Sequence, residues 1–392
     1  MTVSTPATEA EACSAVAEAR AARRPLVLRG GGTRAGLGRP SNATDALSAA
    51  GLTGITLYEP SELVIGARAG TPVRVLEETL AARGQMLPVE PQDHRRLYAT
   101  TGEPTVGGLV ATGASGPRRF AAGAIRDHLI GVRFVNGRGE AVKSGGRVMK
   151  NVTGLDLVKL QCGAHGTLGF LTEVTFKVVP RPETGATLVL HGLDDARGIA
   201  ALTLAIGTPF EMTGAAHLPG IEGRPARTLL RLEGFPDSVA DRAARLAALL
   251  ADYGSAERLD VAAAAPLWDD LRDGVVADVP DAAVWRISVP PTAGPTVAAR
   301  LAALALRHGF DWGGGLLWLA TAPDGDAGAA AIRTALAGIG GHATLVRAPD
   351  AVRAAVAVFE PLAPPLAAVT AGIKASFDPE RVLNPGRMYG GV

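Results

Sequence analysis

Three glycine-rich segments carry the residues best suited to bind a large anionic ligand. The first, Arg29-Gly30-Gly31-Gly32-Thr33-Arg34, directly follows a predicted strand at Pro25–Leu28. Because glycine has no Cβ, the main-chain N–H groups of such a loop can approach and face a diphosphate. A glycine run alone is at least as typical of a mobile hairpin tip, so both interpretations stay open for this segment.

The second segment, Pro104–Gly116, is rich in small residues. No helix or strand needs so many of them, whereas a large planar ligand that lies against the main chain does. Its hydroxyl groups could hydrogen-bond such a ligand, and close packing of a helix on a strand is the alternative explanation. The candidate binding residues here are Thr105, Val106, Gly107, Gly108, Ala111, Thr112, Ser115 and Gly116.

The third segment, Gly163–Gly169, leads into a predicted strand at residues 168–179 and makes the pattern specific. The motifs that recur in one family are, in chain order, Arg29–Arg34, Thr105–Gly108, Gly123–Gly131, Lys150–Asp156, Gly166–Gly169 and Asn384–Arg387. The chain resembles the vanillyl-alcohol-oxidase/PCMH-type FAD-binding flavoproteins over essentially its whole length. Within that family it is similar to the FAD-binding subunits of bacterial glycolate oxidase complexes.

The resemblance implies an α+β protein in three parts. A two-lobed PCMH-type FAD-binding domain would span residues 1–182, an α+β cap domain with an antiparallel sheet residues 183–350, and a segment returning to the FAD domain residues 351–392. The first glycine loop would hold the diphosphate of FAD. Outside the first two glycine-rich segments, the implied FAD-binding residues are Pro91, Arg119, Gly123, Arg126, Asp127, Gly163, Gly166, Thr167, Gly169, Val174 and Arg387.

The residues next to the first loop indicate how the cofactor is held. Several family members tether the flavin through a His two places after the last glycine of this loop, where this chain has Thr33-Arg34, so the resemblance implies non-covalent FAD.

A buried free thiol is the favoured interpretation of Cys162. Because Cys13 and Cys162 are the only cysteines, this chain alone cannot build a four-cysteine iron–sulfur cluster, and any cluster must lie on a partner.

The cap domain lacks recognisable catalytic groups. In related lactate and glycolate dehydrogenase subunits, a cap strand carries a His-x-Gly-Asp-Gly-Asn-x-His type of motif that helps to bind a metal and the 2-hydroxy acid. The corresponding stretch here is Trp312–Trp318, which contains no metal-ligating side chain. Oxidation of a hydroxy acid needs a base for the hydroxyl proton and a cation for the carboxylate. No metal and no catalytic residue are therefore predicted, and the histidines are scattered singly, at His94, His128, His165, His191, His217, His308 and His342.

Basic residues recur near the FAD segments. The diphosphate accounts for one or two of them, and the rest are interpreted as a solvated surface, with partner docking as the alternative. They are Arg118, Arg119, Arg126, Lys143, Arg147, Lys150 and Lys159.

The elements that position these segments follow from hydrophobic periodicity. A helix is predicted at residues 8–23, strand–loop–helix units at 25–34 and 63–84, and a hairpin at 129–142 around Asn136-Gly137. In the cap, strands are predicted near residues 187–191, 211–217, 226–232, 283–289, 316–320 and 343–347, with helices near 236–252, 294–307 and 326–337 packed on one side of the sheet.

Composition limits the class of protein. A chain of 392 residues favours two domains, and a net charge of +1 gives no general attraction to nucleic acid. Neither a signal peptide nor a membrane-spanning stretch is recognised. We therefore expect a cytoplasmic protein, in which any association with the inner face of the cell membrane is peripheral and made through its partners.

Three functional hypotheses follow. In the first, the chain is the FAD-binding subunit of a glycolate oxidase complex that contains a catalytic flavoprotein subunit and an iron–sulfur subunit, and its own flavin relays electrons or is structural. In the second, it is an independent FAD-dependent 2-hydroxy-acid oxidase of D-lactate-oxidising type. In the third, it is a scaffold that FAD only stabilises.

Overall fold

The computed structural model describes residues 2–146, 154–221 and 223–392. The strands in chain order are β1 (Thr2–Ser4), β2 (Leu26–Arg29), β3 (Asp45–Ser48), β4 (Ile55–Glu59), β5 (Val64–Arg68), β6 (Gln85–Met86), β7 (Leu129–Val135), β8 (Ala141–Gly145), β9 (Phe170–Lys177), β10 (Val179–Pro180), β11 (Thr184–His191), β12 (Gly214–Leu218), β13 (Arg227–Gly234), β14 (Glu257–Asp260), β15 (Ala283–Ser288), β16 (Arg307–Asp311), β17 (Leu316–Thr321) and β18 (His342–Arg347). The α-helices are α1 (Glu9–Ala21), α2 (Val73–Ala81), α3 (Arg95–Tyr98), α4 (Val106–Thr112), α5 (Arg119–Ala122), α6 (Ile125–His128), α7 (Leu157–Gln161), α8 (Asp195–Ile206), α9 (Pro236–Leu249), α10 (Val261–Arg272), α11 (Gly294–Arg300), α12 (Ala329–Leu336), α13 (Asp350–Ala355) and α14 (Pro364–Phe377).

The chain forms two compact units. The first consists of Met1–Ser115, Ala124–Arg181 and Pro361–Val392. It contains a parallel sheet of order β1-β3-β2, an antiparallel sheet of order β4-β5-β9-β7-β8 and the short pair β6 and β10. Helix α4 packs on the central strand β9 and α1 packs on β7, which places the second glycine-rich segment against the middle of the sheet.

The second unit consists of Gly116–Gly123 and Pro182–Glu360. Its eight strands form one antiparallel sheet of order β14-β11-β13-β12-β16-β17-β15-β18. Alternate apolar residues, such as Trp285 and Ile287 of β15, face a core that also contains residues of α8, α9, α11 and α12. Because successive side chains of a strand point to opposite faces of the sheet, these alternate apolar residues form one buried face.

The opposite face of this sheet is also covered in part, which corrects the prediction that all helices pack on one side. Trp268 and Leu271 of α10 pack with Val189, Ala216 and Leu229 of the sheet in a second, smaller core. Neither α10 nor α8 was predicted. Each begins at an aspartate whose side chain accepts a hydrogen bond from the main-chain N–H three residues later. The sequence contains this helix-start signal at both places, but the hydrophobic pattern does not reveal the helices.

One predicted helix was too long. The helix expected at residues 294–307 ends at Arg300, and Arg307–Asp311 form β16, which lies between β12 and β17. The strand is stabilised by pairing with β17 over all five residues, a contact that local propensity does not reveal. Strand β14 at the edge of the sheet was also not predicted.

The compact units differ from the predicted boundaries in two places. Residues 351–360 belong to the second unit because Val352 and Val358 lie in its core, and Leu345 donates a main-chain hydrogen bond to Val358. Residues 116–123 also belong to the second unit, to which they are bound by the Arg118–Glu233 ion pair.

Candidate functional site

The first glycine loop follows β2 in the first unit, and its glycines have different surroundings. A Cβ on Gly30 would lie 2.1 Å from Thr105 Oγ1, and one on Gly31 would lie 1.8 Å from the carbonyl oxygen of Glu103. The loop therefore packs directly on the segment that precedes α4. Gly32 differs, because its φ is +80° and a Cβ there would meet no atom within 4 Å.

The two arginines at the ends of this loop differ in their contacts. Arg29 is the last residue of β2 and is half-buried. Arg34 donates to the carbonyl oxygen of Gln92 and, over 3.4 Å, its Nε approaches Nδ1 of His94. Gln92 directly follows Pro91, which was predicted to bind the cofactor. The hydrogen bond from Arg34 therefore connects the first glycine loop to the segment that contains Pro91.

The second segment is partly explained by packing and partly not. Thr105 caps α4 by accepting a hydrogen bond from Gly108 N at 3.2 Å. A Cβ on Gly107 would lie 2.7 Å from that of Ala69, so this glycine serves close helix–strand packing, the alternative raised from the sequence. Gly108 is different, since a Cβ there would touch only Thr105 Oγ1 at 3.2 Å and Arg34 at 3.9 Å.

The hydroxyl groups predicted to contact the cofactor donate within the chain. Thr112 donates to Gly108 O at 2.8 Å, and Thr167 donates to Ala164 O at 2.7 Å. Ser115 lies 3.5 Å from Gly113 O and is completely buried. Their oxygens keep lone pairs, so these groups remain able to accept hydrogen bonds.

The third segment joins the end of α4. Gly163 and His165 donate main-chain hydrogen bonds to Val110 and Ala111, at 3.0 and 2.8 Å. A Cβ on Gly166 would lie 2.8 Å from Nδ2 of Asn384. The segment thus lies between α4 and the C-terminal residues of the same unit.

His165 has an unusual electrostatic environment. Burial, and then the positive charges of Arg387 and Arg34, lower the pKa of His165 to about 3. The imidazole is therefore neutral at physiological pH. Two arginines from opposite ends of the chain act on one histidine of the third segment, so the predicted site residues Arg34 and Arg387 do share one electrostatic environment.

The C-terminal segment is hydrogen-bonded to β2. Asn384 accepts from Leu28 N and donates to His165 O, each at 2.8 Å. Arg387 donates to the carbonyl oxygens of Arg34, Ala35 and Arg39, at 3.4, 2.9 and 3.5 Å. The guanidinium of Arg387 therefore holds the chain that follows the glycine loop.

A buried ion pair anchors the helix before this segment. Nζ of Lys374 lies 2.6 Å from Asp378 and donates to Thr167 O and Leu383 O, at 2.7 and 2.8 Å. Asp378 in turn accepts from the main-chain N–H groups of Val382 and Leu383. Asn384 and Lys374 were not among the predicted site residues. The position of Asn384 inside a recognised motif was the signal that could have found it.

Other predicted site residues have surroundings of a different kind. Gly116, Arg119 and Gly123 belong to the second unit, while Arg126 and Asp127 lie on α6 and are exposed. Val174 of β9 is completely buried in the core of the first unit, and a Cβ on Gly169 would lie 2.5 Å from the ring of Phe134. Packing within the first unit therefore accounts for Val174 and Gly169.

Several sequence predictions fall on or beside residues 147–153. Arg147, Lys150 and the first part of the Lys150–Asp156 motif lie outside the described residues. Lys159 forms an exposed ion pair with Asp156, and Lys143 lies exposed on β8. Both cysteines, Cys13 and Cys162, are half-buried and neither forms a disulfide, so Cys162 is less buried than predicted.

Among the described residues, no group of three or more His, Cys, Asp or Glu side chains is arranged to hold a metal ion. Of the helices in the described ranges, none has both the length and the apolar character needed to cross a membrane.

Comparisons with known proteins give one family match and two similar subunits. The family described as FAD binding domain matches residues 2–145. Glycolate oxidase subunit GlcE of Escherichia coli (strain K12) is 37% identical over 372 residues, which cover 94% of this chain and 93% of that protein. Glycolate oxidase subunit GlcD of Bacillus subtilis (strain 168) is 30% identical over 168 residues, 43% of this chain and 34% of that protein.

Two further similarities concern an enzyme and a fold. D-lactate dehydrogenase of Anaerostipes hadrus is 34% identical over 133 residues, 34% of this chain and 26% of that enzyme. A solved structure of alkyldihydroxyacetonephosphate synthase covers 98% of this chain and 76% of its own, with a TM-score of 0.68 and 15% identity. This likeness bears on the fold alone, and it confirms the predicted α+β class.

Proposed function

The chain belongs to the family of glycolate oxidase subunit GlcE, whose members bind FAD, and on that premise we propose that it is the FAD-carrying subunit of a glycolate oxidase complex. The observation that carries the proposal is the 37% identity to this subunit along 94% of the chain. In the complex, glycolate is oxidised to glyoxylate, and a partner flavoprotein subunit and an iron–sulfur subunit carry the electrons onward.

The residues of the first unit fit this cofactor. Gly32 leaves its outer side open, which is what a dinucleotide lying against main chain requires. A Cβ on Gly108 would meet only the side chains of Thr105 and Arg34, so Arg34 brings a positive charge to the start of α4. We propose that the loop Gly30–Arg34 and the start of α4 hold the diphosphate. The neutral imidazole of His165 and the fastened C-terminal segment would keep the loop in position. When bound, FAD supplies an acceptor for two electrons.

The proposed role of this flavin is to relay electrons or to support the structure, and not to oxidise glycolate by itself. The stretch Trp312–Trp318 offers tryptophan, leucine and glycine where related subunits carry histidines and a carboxylate. Such side chains cannot accept the hydroxyl proton of the substrate. Loss of a well-placed general base commonly lowers a rate by about a hundred- to ten-thousand-fold.

Anaerobic reduction of the flavin tests this proposal. The purified, FAD-loaded chain is mixed with glycolate or D-lactate, and the visible absorbance of the flavin is followed with and without the partner subunits. We expect the flavin of the isolated chain to stay oxidised, and turnover to require this chain together with its partners. The control is the set of partners without this chain.

Each other outcome selects one of the remaining hypotheses. Rapid bleaching of the isolated chain would contradict the relay and support an independent 2-hydroxy-acid oxidase. A flavin that stays oxidised in a complex that turns over would support a structural role for FAD. Full turnover by the partners alone would overturn the proposal.

A further inference from the structure

Lys374 and Asp378 form a buried ion pair at the end of α14. Their side chains are 2% and 0% exposed, and Nζ of Lys374 lies 2.6 Å from Oδ2 of Asp378. Nζ also donates to the carbonyl oxygens of Thr167 and Leu383, at 2.7 and 2.8 Å. A neutral amine has only two N–H groups, so this set of three acceptors requires the charged form of the lysine.

The carboxylate of Asp378 is equally enclosed. Its Oδ1 accepts from Val382 N at 2.9 Å, and its Oδ2 accepts from Leu383 N at 2.8 Å. The turn between β7 and β8 covers the carboxylate, because Gly137 N donates to Phe377 O at 2.9 Å and a Cβ on Gly137 would lie 2.2 Å from Oδ1. The pair is therefore hydrogen-bonded on both sides and shielded from solvent.

Stability alone does not explain a buried pair of this kind. Burial outweighs the attraction of Asp378 and lowers the pKa of Lys374, so folding disfavours the charged form of the lysine. Buried ion pairs can often be replaced by apolar side chains of similar volume without loss of stability. In some proteins they are retained because they select one arrangement of the segments around them. The segments that this pair joins therefore indicate its task.

Lys374 joins two segments that are predicted to surround FAD. Thr167 belongs to the third glycine-rich segment, 207 positions before the lysine, and is itself a predicted FAD-binding residue. Leu383 lies beside Leu26 of β2 in a parallel bridge, and β2 leads directly into the first glycine loop. One ammonium group therefore sets the spacing between the third segment and the strand that carries the first loop.

The contact with Thr167 also fixes the orientation of a hydroxyl group. Both N and Oγ1 of Thr167 donate to Ala164 O, at 2.9 and 2.7 Å, while its carbonyl oxygen accepts from Lys374. Thr167 is buried, and the lone pairs of Oγ1 remain able to accept a hydrogen bond. A shift of this carbonyl group would move Oγ1 and the neighbouring Gly166 with it.

We propose that Lys374 is a positioning residue of the FAD site, which acts through Thr167 and Leu383, and that Asp378 keeps the lysine charged and in place. The inference rests on the position of FAD in the first unit that the proposed function assigns. Without the ammonium, both carbonyl groups lose their donor and the third segment can move relative to β2. FAD must then order these segments when it binds, so its affinity falls.

Titration of the apoprotein with FAD tests the proposal. Lys374→Met is compared with Arg133→Met, which breaks the ion pair of Arg133 with Glu9 in the same unit. That pair joins β7 to α1, two elements that contain none of the predicted FAD-binding residues. Each titration is made at a temperature at which far-UV circular dichroism shows the variant to be folded.

We expect Lys374→Met to raise the dissociation constant of FAD at least about tenfold. Arg133→Met should change it by less than about twofold, although both variants unfold at a lower temperature than the wild type. An unchanged dissociation constant in Lys374→Met, or an equal rise in Arg133→Met, would overturn the proposal.

A double variant avoids a lone charge in the core. Lys374→Met combined with Asp378→Asn buries no charge, and the asparagine oxygen can still accept from Val382 N. It should unfold within about 5 °C of the wild type and yet bind FAD at least about tenfold more weakly. The visible absorbance of the FAD that stays bound should move toward that of free FAD, a change that lower stability alone does not produce.

Two results with the double variant would overturn the proposal. If it binds FAD like the wild type, or if it does not fold, the pair serves the fold alone. These titrations need neither glycolate nor partner subunits, so a negative result leaves the glycolate oxidase proposal standing. Full turnover by the partners without this chain would overturn that proposal and leave the titration result intact.

Discussion

Single glycines of the first loop perform different tasks, although the sequence presents them as equivalent. Gly30 and Gly31 allow two main-chain segments to touch, since any Cβ would collide with Thr105 or with the carbonyl group of Glu103. Gly32 instead has a left-handed conformation and open surroundings. Loss of cofactor after substitution of Gly31 would therefore report on damage to the loop, whereas Gly32 tests the proposed contact with FAD.

We predict that Gly32→Val lowers the affinity for FAD at least about tenfold, because a branched side chain would occupy the space of the ligand. The matched control is Gly84→Val, in the turn after α2. Gly84 also has a positive φ, +64°, and open surroundings, so both variants carry a similar backbone strain of about 1–2 kcal/mol. Titration with FAD checks the prediction. Equal affinities in the two variants would place the diphosphate elsewhere.

The neutral state of His165 predicts a dependence of stability on pH. The folded state holds the pKa near 3, below the ordinary value of 6.5, so the unfolded chain binds a proton between these values that the folded chain does not. Stability from this group is complete above pH 6.5 and is lost as the pH falls toward 3. We expect a contribution of about 1–2 kcal/mol to the loss of unfolding free energy between pH 7.5 and 5.

Urea unfolding at the two pH values checks this contribution. His165→Asn should show a smaller difference between pH 7.5 and 5 than the wild type, and asparagine tolerates the left-handed φ of +51° at this position. The control His191→Asn removes an exposed histidine that pairs with Glu257, and an equal reduction in this variant would show that the effect is not specific to His165. An unchanged difference in His165→Asn would contradict the assignment.

At the scale of elements, the C-terminal segment acts as a support for β2 and the loop that follows it. Val382 and Asn384 exchange main-chain hydrogen bonds with Leu26, and the side chain of Asn384 bonds both Leu28 and His165. One amide side chain therefore connects the strand before the first glycine loop to the third glycine-rich segment.

We predict that Asn384→Ala destabilises the chain by about 1–3 kcal/mol, because the part-buried N–H of Leu28 and carbonyl oxygen of His165 both lose their partner. The affinity for FAD should fall with it, since the loop loses its support. Removal of residues 384–392 should have a larger effect of the same kind. Denaturant unfolding and FAD titration measure the two quantities.

Asn136→Ala provides the comparison for this prediction. Asn136 is also buried and accepts two main-chain hydrogen bonds, from Arg138 and Glu140, but it lies in the turn between β7 and β8. It should lose stability without a specific loss of FAD affinity. If both variants, or neither, release FAD, the C-terminal segment has no particular role in binding.

At the scale of the whole molecule, each unit has a hydrophobic core of its own, and the predicted FAD-binding residues lie mainly in the first. We expect the flavin to be retained by the folded chain and not by a covalent bond, since this chain has Thr33-Arg34 where several related proteins carry a tethering histidine. Unfolding of the chain should therefore abolish cofactor binding completely.

We predict that acid precipitation of the holoprotein releases all of its FAD into the supernatant. Absorbance of the supernatant and of the washed, redissolved pellet measures the partition. Apoprotein that is precipitated first and then mixed with free FAD is the control for trapping. Yellow colour that stays with the washed pellet beyond this control would show a covalent bond.

The sequence by itself determined the class of the protein. The order of the glycine-rich motifs resembled that of the vanillyl-alcohol-oxidase/PCMH-type flavoproteins, a resemblance that implies FAD, and glycines allow the close approach of main chain that a dinucleotide requires. Hydrophobic periodicity located most strands of the large antiparallel sheet. Comparison with known proteins confirmed the family, the cofactor and the α+β fold.

Only the tertiary structure decided which neighbours those residues meet. The hydrogen bond from Leu28 to Asn384 joins residues 356 positions apart, and that from Lys374 to Thr167 joins residues 207 positions apart. Arg307, which was predicted to end a helix, instead begins β16, which pairs with β17. Such contacts depend on how strands and segments pack, and a local pattern contains no information about them.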